Sequence, residues 1–141
     1  MFLTVLPSTI IVSIDQLQTM KNKIDLLRIV PNIYSIDIEK SRQFYTDFLD
    51  LELVMDMGWI LTFASKDNPN SQLSILQFDK EGQLDNSATF LSIEVSDVDA
   101  LYERAKKLKC DIVYPITDEP WGVRRFFVME PNGATINLLA H

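Results

Sequence analysis

Histidine and cysteine are almost missing from this chain. Its one histidine is the final residue, His141, and its one cysteine, Cys110, has no partner for an internal disulfide. A metal centre built from several imidazoles or thiolates is thereby excluded. A lone terminal histidine reads as a solvated side chain. Cys110 follows the helix end at Leu108-Lys109 with no activating neighbour, so it reads as a packing residue. Such cysteine usage suits a reducing cytoplasm. Cationic residues are also scarce: 13 Lys and Arg stand against 20 Asp and Glu, for a net charge of -7. That balance argues against a nucleic-acid backbone as partner, because phosphate binding needs clustered cations. Long apolar runs are absent too. Residues 1–19 are apolar but interrupted by Pro7 and Asp15, and no Lys or Arg precedes the run. The expectation is neither a secretory signal nor a membrane span. Met20-Lys21-Asn22-Lys23 has the look of a start, so residues 1–25 are expected to form a peripheral extension, with Thr9 to Ile14 as a candidate strand.

What remains is an ordinary globular composition. Apolar residues make up 47% of 141 positions, enough for one domain with a real core. The closing stretch sets the pattern. Pro120-Trp121-Gly122 is a turn carrying an aromatic, Val123 to Met129 is β-prone, Pro131-Asn132-Gly133 is a tight turn, and Ala134 to Ala140 is a returning strand. Upstream, Leu27 to Ile36 reads as a strand. Asp37 caps a helix over residues 39–49 with Phe44, Tyr45, Phe48 and Leu49 at helical spacing. Three strands follow, over residues 51–55, 59–64 and 72–78, and residues 79–87 form a polar link. Residues 88–95 are again a strand, Asp97 caps a second helix to about Lys109, residues 111–114 are a short strand, and residues 115–120 are a loop. The order is β-α-β-β-β twice over. Ile29 to Asp37 (IVPNIYSID) matches Thr89 to Asp97 (TFLSIEVSD) at an offset of 60. Neither half carries enough apolar surface to stand alone, so the two should share one core.

The motifs Ser41-Arg42-Gln43-Phe44-Tyr45 with Leu49-Asp50-Leu51, Val95-Ser96-Asp97-Val98-Asp99-Ala100, and Pro120-Trp121-Gly122 followed by Glu130-Pro131-Asn132-Gly133 resemble the vicinal oxygen chelate superfamily. That superfamily includes glyoxalase I, extradiol dioxygenases, and fosfomycin and bleomycin resistance proteins. The resemblance spans residues 26–141, with Glu130 where the family usually has Asp. It implies an α+β fold of two βαβββ modules, about residues 26–79 and 88–141, forming a curved, cup-shaped mixed sheet with helices on the outer face. It implies a small-molecule site in the cup and a homodimer. The family's metal ligands lie on the first and last strands of each module. Carried over, those positions fall on Val30, on Phe90, on Asn137, and on one of Ser74, Ile75 or Leu76. Val and Phe cannot coordinate a metal, so no metal and no cofactor are expected.

Strand alternation then sorts the candidate cup residues. Asn32 and Tyr34 in the first half and Phe90, Ser92, Glu94 and Asn137 in the second face the cup. Trp59, Leu61 and Phe63 offer an aromatic stripe, and Trp121 stands at the rim. The surface is aromatic with a few polar anchors, as small-molecule sites are. A carboxylate at Glu94 needs a partner, and Arg124 or Arg125 could supply one; the sequence does not say which of the two faces inward. The reading is a metal-independent, cytoplasmic binding protein resembling bleomycin resistance proteins, which sequesters a ligand, cationic and aromatic in that analogy, in a dimeric cup. The alternative is a lyase, isomerase or dioxygenase of the same superfamily, with an unusual metal site or with Glu94 as acid–base catalyst.

Overall fold

The first structural consequence of the repeat is a pair of matching four-stranded sheets. The computed structural model describes residues 3–5 and 11–141. Two short strands, β1 (Leu3–Val5) and β2 (Ile11–Ser13), pair antiparallel and lead into helix α1 (Ile14–Asn22). The helix was not expected from the apolar run. Its signal is Ser13 with Gln16 three residues on, a reciprocal capping box with both bonds at 3.1 Å. Residues 1–2 and 6–10 of the expected extension, including the first two of the candidate strand Thr9 to Ile14, lie outside the described residues.

The first module comprises β3 (Asn32–Ser35), helix α2 (Ile38–Gln43, continuing through a wider π turn, Phe44–Phe48), β4 (Glu52–Asp56), β5 (Ile60–Ala64) and β6 (Gln72–Gln77). The second comprises β7 (Phe90–Glu94), α3 (Val98–Lys107), β8 (Asp111–Asp118), β9 (Arg124–Met129) and β10 (Thr135–Ala140). The sheet orders are β3-β6-β5-β4 and β7-β10-β9-β8. In each, the first strand runs parallel to the last and the other neighbours are antiparallel. Asp37 and Asp97 cap the module helices through Glu39 N and Ala100 N. Each module helix is followed by a left-handed residue, Asp50 (φ 54°) and Lys109 (φ 56°).

Two expectations change. The strand expected over residues 27–36 begins only at Asn32. The preceding Ile24, Leu26, Leu27 and Ile29 are exposed and pair with no strand among the described residues; the β3–β6 ladder starts at Asn32 opposite Ser74. The loop expected at Pro115 is instead the middle of β8. That strand is the sheet edge, where a proline's missing N–H costs no ladder bond, and the register shifts around it between Tyr114 and Thr117.

The two modules share their interior. One buried cluster gathers Ile33, Tyr45, Leu61, Phe63, Leu73 and Ile75; the other gathers Val98, Leu101, Phe126, Val128, Ile136 and Leu138. Each borrows from the other module: Ala134 lies in the first cluster and Phe48 in the second, while Phe44, Leu49 and Leu91 touch both. A polar knot ties the same seam. Buried Glu130 accepts from Tyr45 Oη (2.9 Å), Asn132 N (2.7 Å), Asn132 Nδ2 (2.8 Å) and Ala134 N (3.1 Å). Asn132 Nδ2 also reaches Ser41 Oγ (2.8 Å), and Asn86 Nδ2 bridges the carbonyls of Tyr34 and Asn132.

The β9–β10 turn closes on Gly133, at φ +92°, and a Cβ built there meets nothing within 4 Å. Gly133→Ala is therefore expected to cost only its backbone strain, about 1–2 kcal/mol. A urea titration would show a lowered midpoint with an unchanged slope.

Candidate functional site: the open faces of the two sheets

Burial fixes one face of each sheet against the helices and leaves the other open. The register sorts the open faces into transverse rows. In the first sheet one row runs Asn32, Ser74, Thr62, Met55; in the second the corresponding row runs Ser92, Asn137, Phe127, Tyr114. Asn32 stands opposite Ser74 as Ser92 stands opposite Asn137, so Ser74, and not Ile75 or Leu76, is the first-module counterpart of Asn137. The four positions that the resemblance carries over for a metal are then Val30, Ser74, Phe90 and Asn137. Two are hydrocarbon and none is a carboxylate or imidazole. Ser74 is buried and bonded to Thr62 (2.7 Å). Among the described residues no three His, Cys, Asp or Glu side chains cluster as a metal would need. The donor set does not fit a catalytic divalent ion.

The expected cup residues separate on inspection. Asn32, Tyr34, Phe90, Ser92, Glu94 and Asn137 all lie on the open faces by register. Tyr34 is half-exposed and packs edge-on against Phe78 at 5.7 Å. Phe90 and Trp121 are exposed, at 52% and 63%. Trp59 is exposed at the turn before β5, beside Gly58. Phe63 is different. It was expected in the cup with Leu61, yet both are fully buried on the helix side, and Phe63 lies against Tyr45 at 5.3 Å. Phe63 sits opposite core residue Leu73, and Leu61 opposite Ile75; the open-face residues of β5 are the alternate ones, Ile60 and Thr62.

Arg124, one of the two partners offered for Glu94, does not take that place. It turns to the helix side, where Nη2 meets Asp99 at 2.8 Å and Nη1 meets Asp118 at 3.1 Å. The hydrogen bond from Arg124 holds the Asp99 carboxyl below its usual range. These groups line a cleft of about 420 Å³ at the start of α3, together with Ser96, Glu119 and His141. Its one arginine is taken up by Asp99 and Asp118, Asp97 caps α3, Glu119 accepts from Tyr114 and Arg125, and the cleft lies at one end of the sheet rather than on the open face.

Arg125 is the arginine that faces the open side. It does not pair with Glu94, because β10 lies between their strands and Leu139 separates them in the row Glu94, Leu139, Arg125, Thr117. Glu94 instead bonds His141 (2.9 Å), and both side chains are exposed, at 64% and 65%. A carboxylate in solvent with a terminal histidine beside it is not the enclosed acid–base group the alternative reading needs.

Around Arg125 stands a cluster in which the sequence reading named Phe90 and Trp121, left Arg125 open against Arg124, and missed Tyr114, Phe127 and Glu119. Its Cζ lies 4.9 Å from the ring centre of Phe127, 5.1 Å from Trp121 and 5.7 Å from Tyr114. Tyr114 stacks on Phe127 at 4.7 Å, and Phe90 meets Phe127 edge-on at 5.2 Å. Glu119, on the short loop after β8, accepts from Tyr114 Oη (2.6 Å) and from Arg125 Nε (3.3 Å). Tyr114 escaped notice because the expected loop after it ended the strand too early to show its alternation with Ile112. One buried polar atom is left over. Asn137 is 4% exposed, its Nδ2 donates to Ser92 Oγ (3.0 Å), and its Oδ1 has no partner. It is the only such side-chain atom among the described residues.

Comparison with known proteins agrees with this architecture. The sequence model of the Glyoxalase/Bleomycin resistance protein/Dioxygenase superfamily matches residues 24–138. No curated protein sequence matches the chain significantly. Among solved structures, TioX from Micromonospora sp. ML1 superposes with a TM-score of 0.68 at 17% identity, covering 81% of this chain and 98% of that one. A glyoxalase/bleomycin resistance protein/dioxygenase from Nocardioides gives 0.66 at 19% identity, covering 89% and 92%. A protein of unknown function from Agrobacterium tumefaciens gives 0.65 at 21% identity, covering 84% and 94%. At these identities the likeness is one of fold.

Proposed function

The chain belongs to the Glyoxalase/Bleomycin resistance protein/Dioxygenase superfamily, and from that premise we propose that it is a metal-independent small-molecule-binding protein that holds an aromatic ligand without transforming it. One observation carries the reading: where the fold would place metal donors, this chain has Val30, Ser74, Phe90 and Asn137. Hydrocarbon at two of four positions leaves no divalent ion to polarise a substrate or activate water. What stands there instead is exposed aromatic surface with a few polar anchors, the make-up of a binding surface.

A homodimer completes the site in this reading. The helix-bearing faces of both sheets are spent on the common core, while Tyr34, Met55, Phe90, Trp121 and Met129 remain exposed. A second copy would enclose these surfaces and turn two open half-sites into a cup. Among the described residues no helix is long and apolar enough to cross a membrane.

The test is metal dependence. Purified protein treated with a chelator should keep its unfolding midpoint and its capacity to bind a panel of aromatic acids, amides and amines, and each bound compound should be recovered unchanged. Stoichiometric zinc, iron or manganese together with turnover of a bound compound would overturn the reading in favour of the lyase, isomerase or dioxygenase class.

A further inference from the structure

We propose that the open face of the C-terminal sheet selects an aromatic carboxylate that also carries a ring hydroxyl, with Arg125 taking the carboxylate and Asn137 the hydroxyl. This rests on the binding reading above and adds the chemical class of its ligand. The bleomycin analogy pointed to a cationic ligand held by aromatic rings. Here the cation among the rings is the protein's own: the guanidinium of Arg125 lies within 5.7 Å of the centres of Phe127, Trp121 and Tyr114. A second cation brought to the same rings would meet Arg125 at close range, and like charges repel.

The guanidinium is held but not used up. Only Nε is engaged, by Glu119 at 3.3 Å, long for a charge-assisted bond. Glu119 Oε1 also takes the shorter bond, 2.6 Å, from Tyr114. Among the described residues neither Nη of Arg125 donates to a protein acceptor, and neither is sealed from solvent as Asn137 Oδ1 is. Two parallel N–H donors on a planar fork match a planar carboxylate in bidentate geometry. Three rings surround the guanidinium and hold it in place, so less side-chain entropy remains to be lost on binding.

The second anchor is independent of the first. Asn137 keeps one buried amide atom unpaired, which costs free energy until a partner arrives, and a ligand hydroxyl reaches it by displacing the open-face side chains that cover it. A hydroxyl both donates and accepts, so it satisfies that amide whichever of its two atoms is free. Asn137 pairs with Phe127, and Arg125 lies two residues along the same strand. That is a diagonal neighbour, roughly 7–8 Å away across the sheet, a gap one benzene ring with substituents at both ends can bridge. The exposed rings of Trp121 and Phe90 stand on this side to cover it.

The experiment uses the full chain and four probes, 4-hydroxybenzoate, benzoate, 4-hydroxybenzamide and 4-hydroxybenzylamine, with binding read by calorimetry. The expected order is hydroxybenzoate first, benzoate weaker by about tenfold for the lost hydroxyl contact, and the amide and amine weaker still. Arg125→Gln should weaken hydroxybenzoate by at least about tenfold. Arg125→Lys, which keeps the charge without the fork, should fall between. Asn137→Leu should erase the difference between hydroxybenzoate and benzoate. Circular dichroism and unfolding midpoints establish that each variant folds. Should the amine or amide bind as well as the acid, the carboxylate assignment is wrong while the binding function stands. Should Arg125→Gln and Arg125→Lys both bind hydroxybenzoate like the parent, Arg125 is not the anchor. Should none of the four bind, this inference falls; if aromatic compounds outside these four also fail, the binding reading falls with it.

Discussion

Glu130→Ala is expected to lower stability by about 3–5 kcal/mol, a third or more of what a domain of this size commonly has. The carboxylate is 2% exposed and accepts four hydrogen bonds from Tyr45, Asn132 and Ala134. Alanine leaves those donors without an acceptor in a place water does not reach, and each stranded donor costs about 1–3 kcal/mol. Glu130→Gln keeps the shape but turns one acceptor into a donor, so its cost should be about half as large. Tyr45→Phe removes only the phenol bond and should cost about 1–2 kcal/mol. Urea midpoints of the three variants would rank them in that order. An alanine variant within 1 kcal/mol of the parent would mean that water replaces the carboxylate in the knot.

The same contact sets an alkaline limit. Burial first, and then the charge on Glu130, push the Tyr45 phenol well above its usual value. An unfolded chain releases this proton near about pH 10, while the folded chain keeps it. Above that pH the unfolded state binds fewer protons than the folded one, so stability falls as pH rises, by up to about 1.4 kcal/mol per pH unit. Tyr45→Phe lacks this component. Its midpoint should decline less than the parent's between about pH 9.5 and 11.

Much of this fold is legible in the sequence, and the parts that are not share a cause. The repeat of Ile29 to Asp37 in Thr89 to Asp97 predicts two modules, and the helix caps at Asp37 and Asp97 stand where the pattern puts them. Alternation places Phe90, Ser92, Glu94 and Asn137 on one face of their sheet, because a strand anchored by its buried residues has no freedom in the others. It fails at Phe63, where a large aromatic says nothing about which of two faces it takes until the partner strand is known. It does not reach Tyr114 or Glu119, and it leaves Arg125 undecided against Arg124. There, two register shifts around Pro115 and a short loop bring three residues together that no periodicity links. The identity of Glu130 as a knot, rather than a turn acid, depends on Tyr45, 85 residues away in the chain. Contacts at that separation leave no local trace.

Phe48→Ala is expected to cost about 3–5 kcal/mol, and the loss should appear in both modules at once. Phe48 belongs to the first module by sequence, on the π turn after α2, yet it is 1% exposed in the second module's cluster with Val98, Leu101 and Phe126. Its carbonyl also accepts from Arg104 Nη1 on α3 at 3.0 Å. The wider turn lets Phe44 touch both clusters while Tyr45 stays with the first and Phe48 enters the second. Truncating Phe48 opens a cavity at this seam. If the seam makes the modules one folding unit, neither can register the loss alone. The chain has two tryptophans, Trp59 in the first module and Trp121 in the second. Single-tryptophan versions, Trp59→Phe and Trp121→Phe, therefore report on one module each. Their urea curves should coincide in the parent and shift together in Phe48→Ala. Separate midpoints would mean that each sheet and helix holds without its neighbour, and that the shared core is a contact between two folded bodies rather than the condition for either to fold.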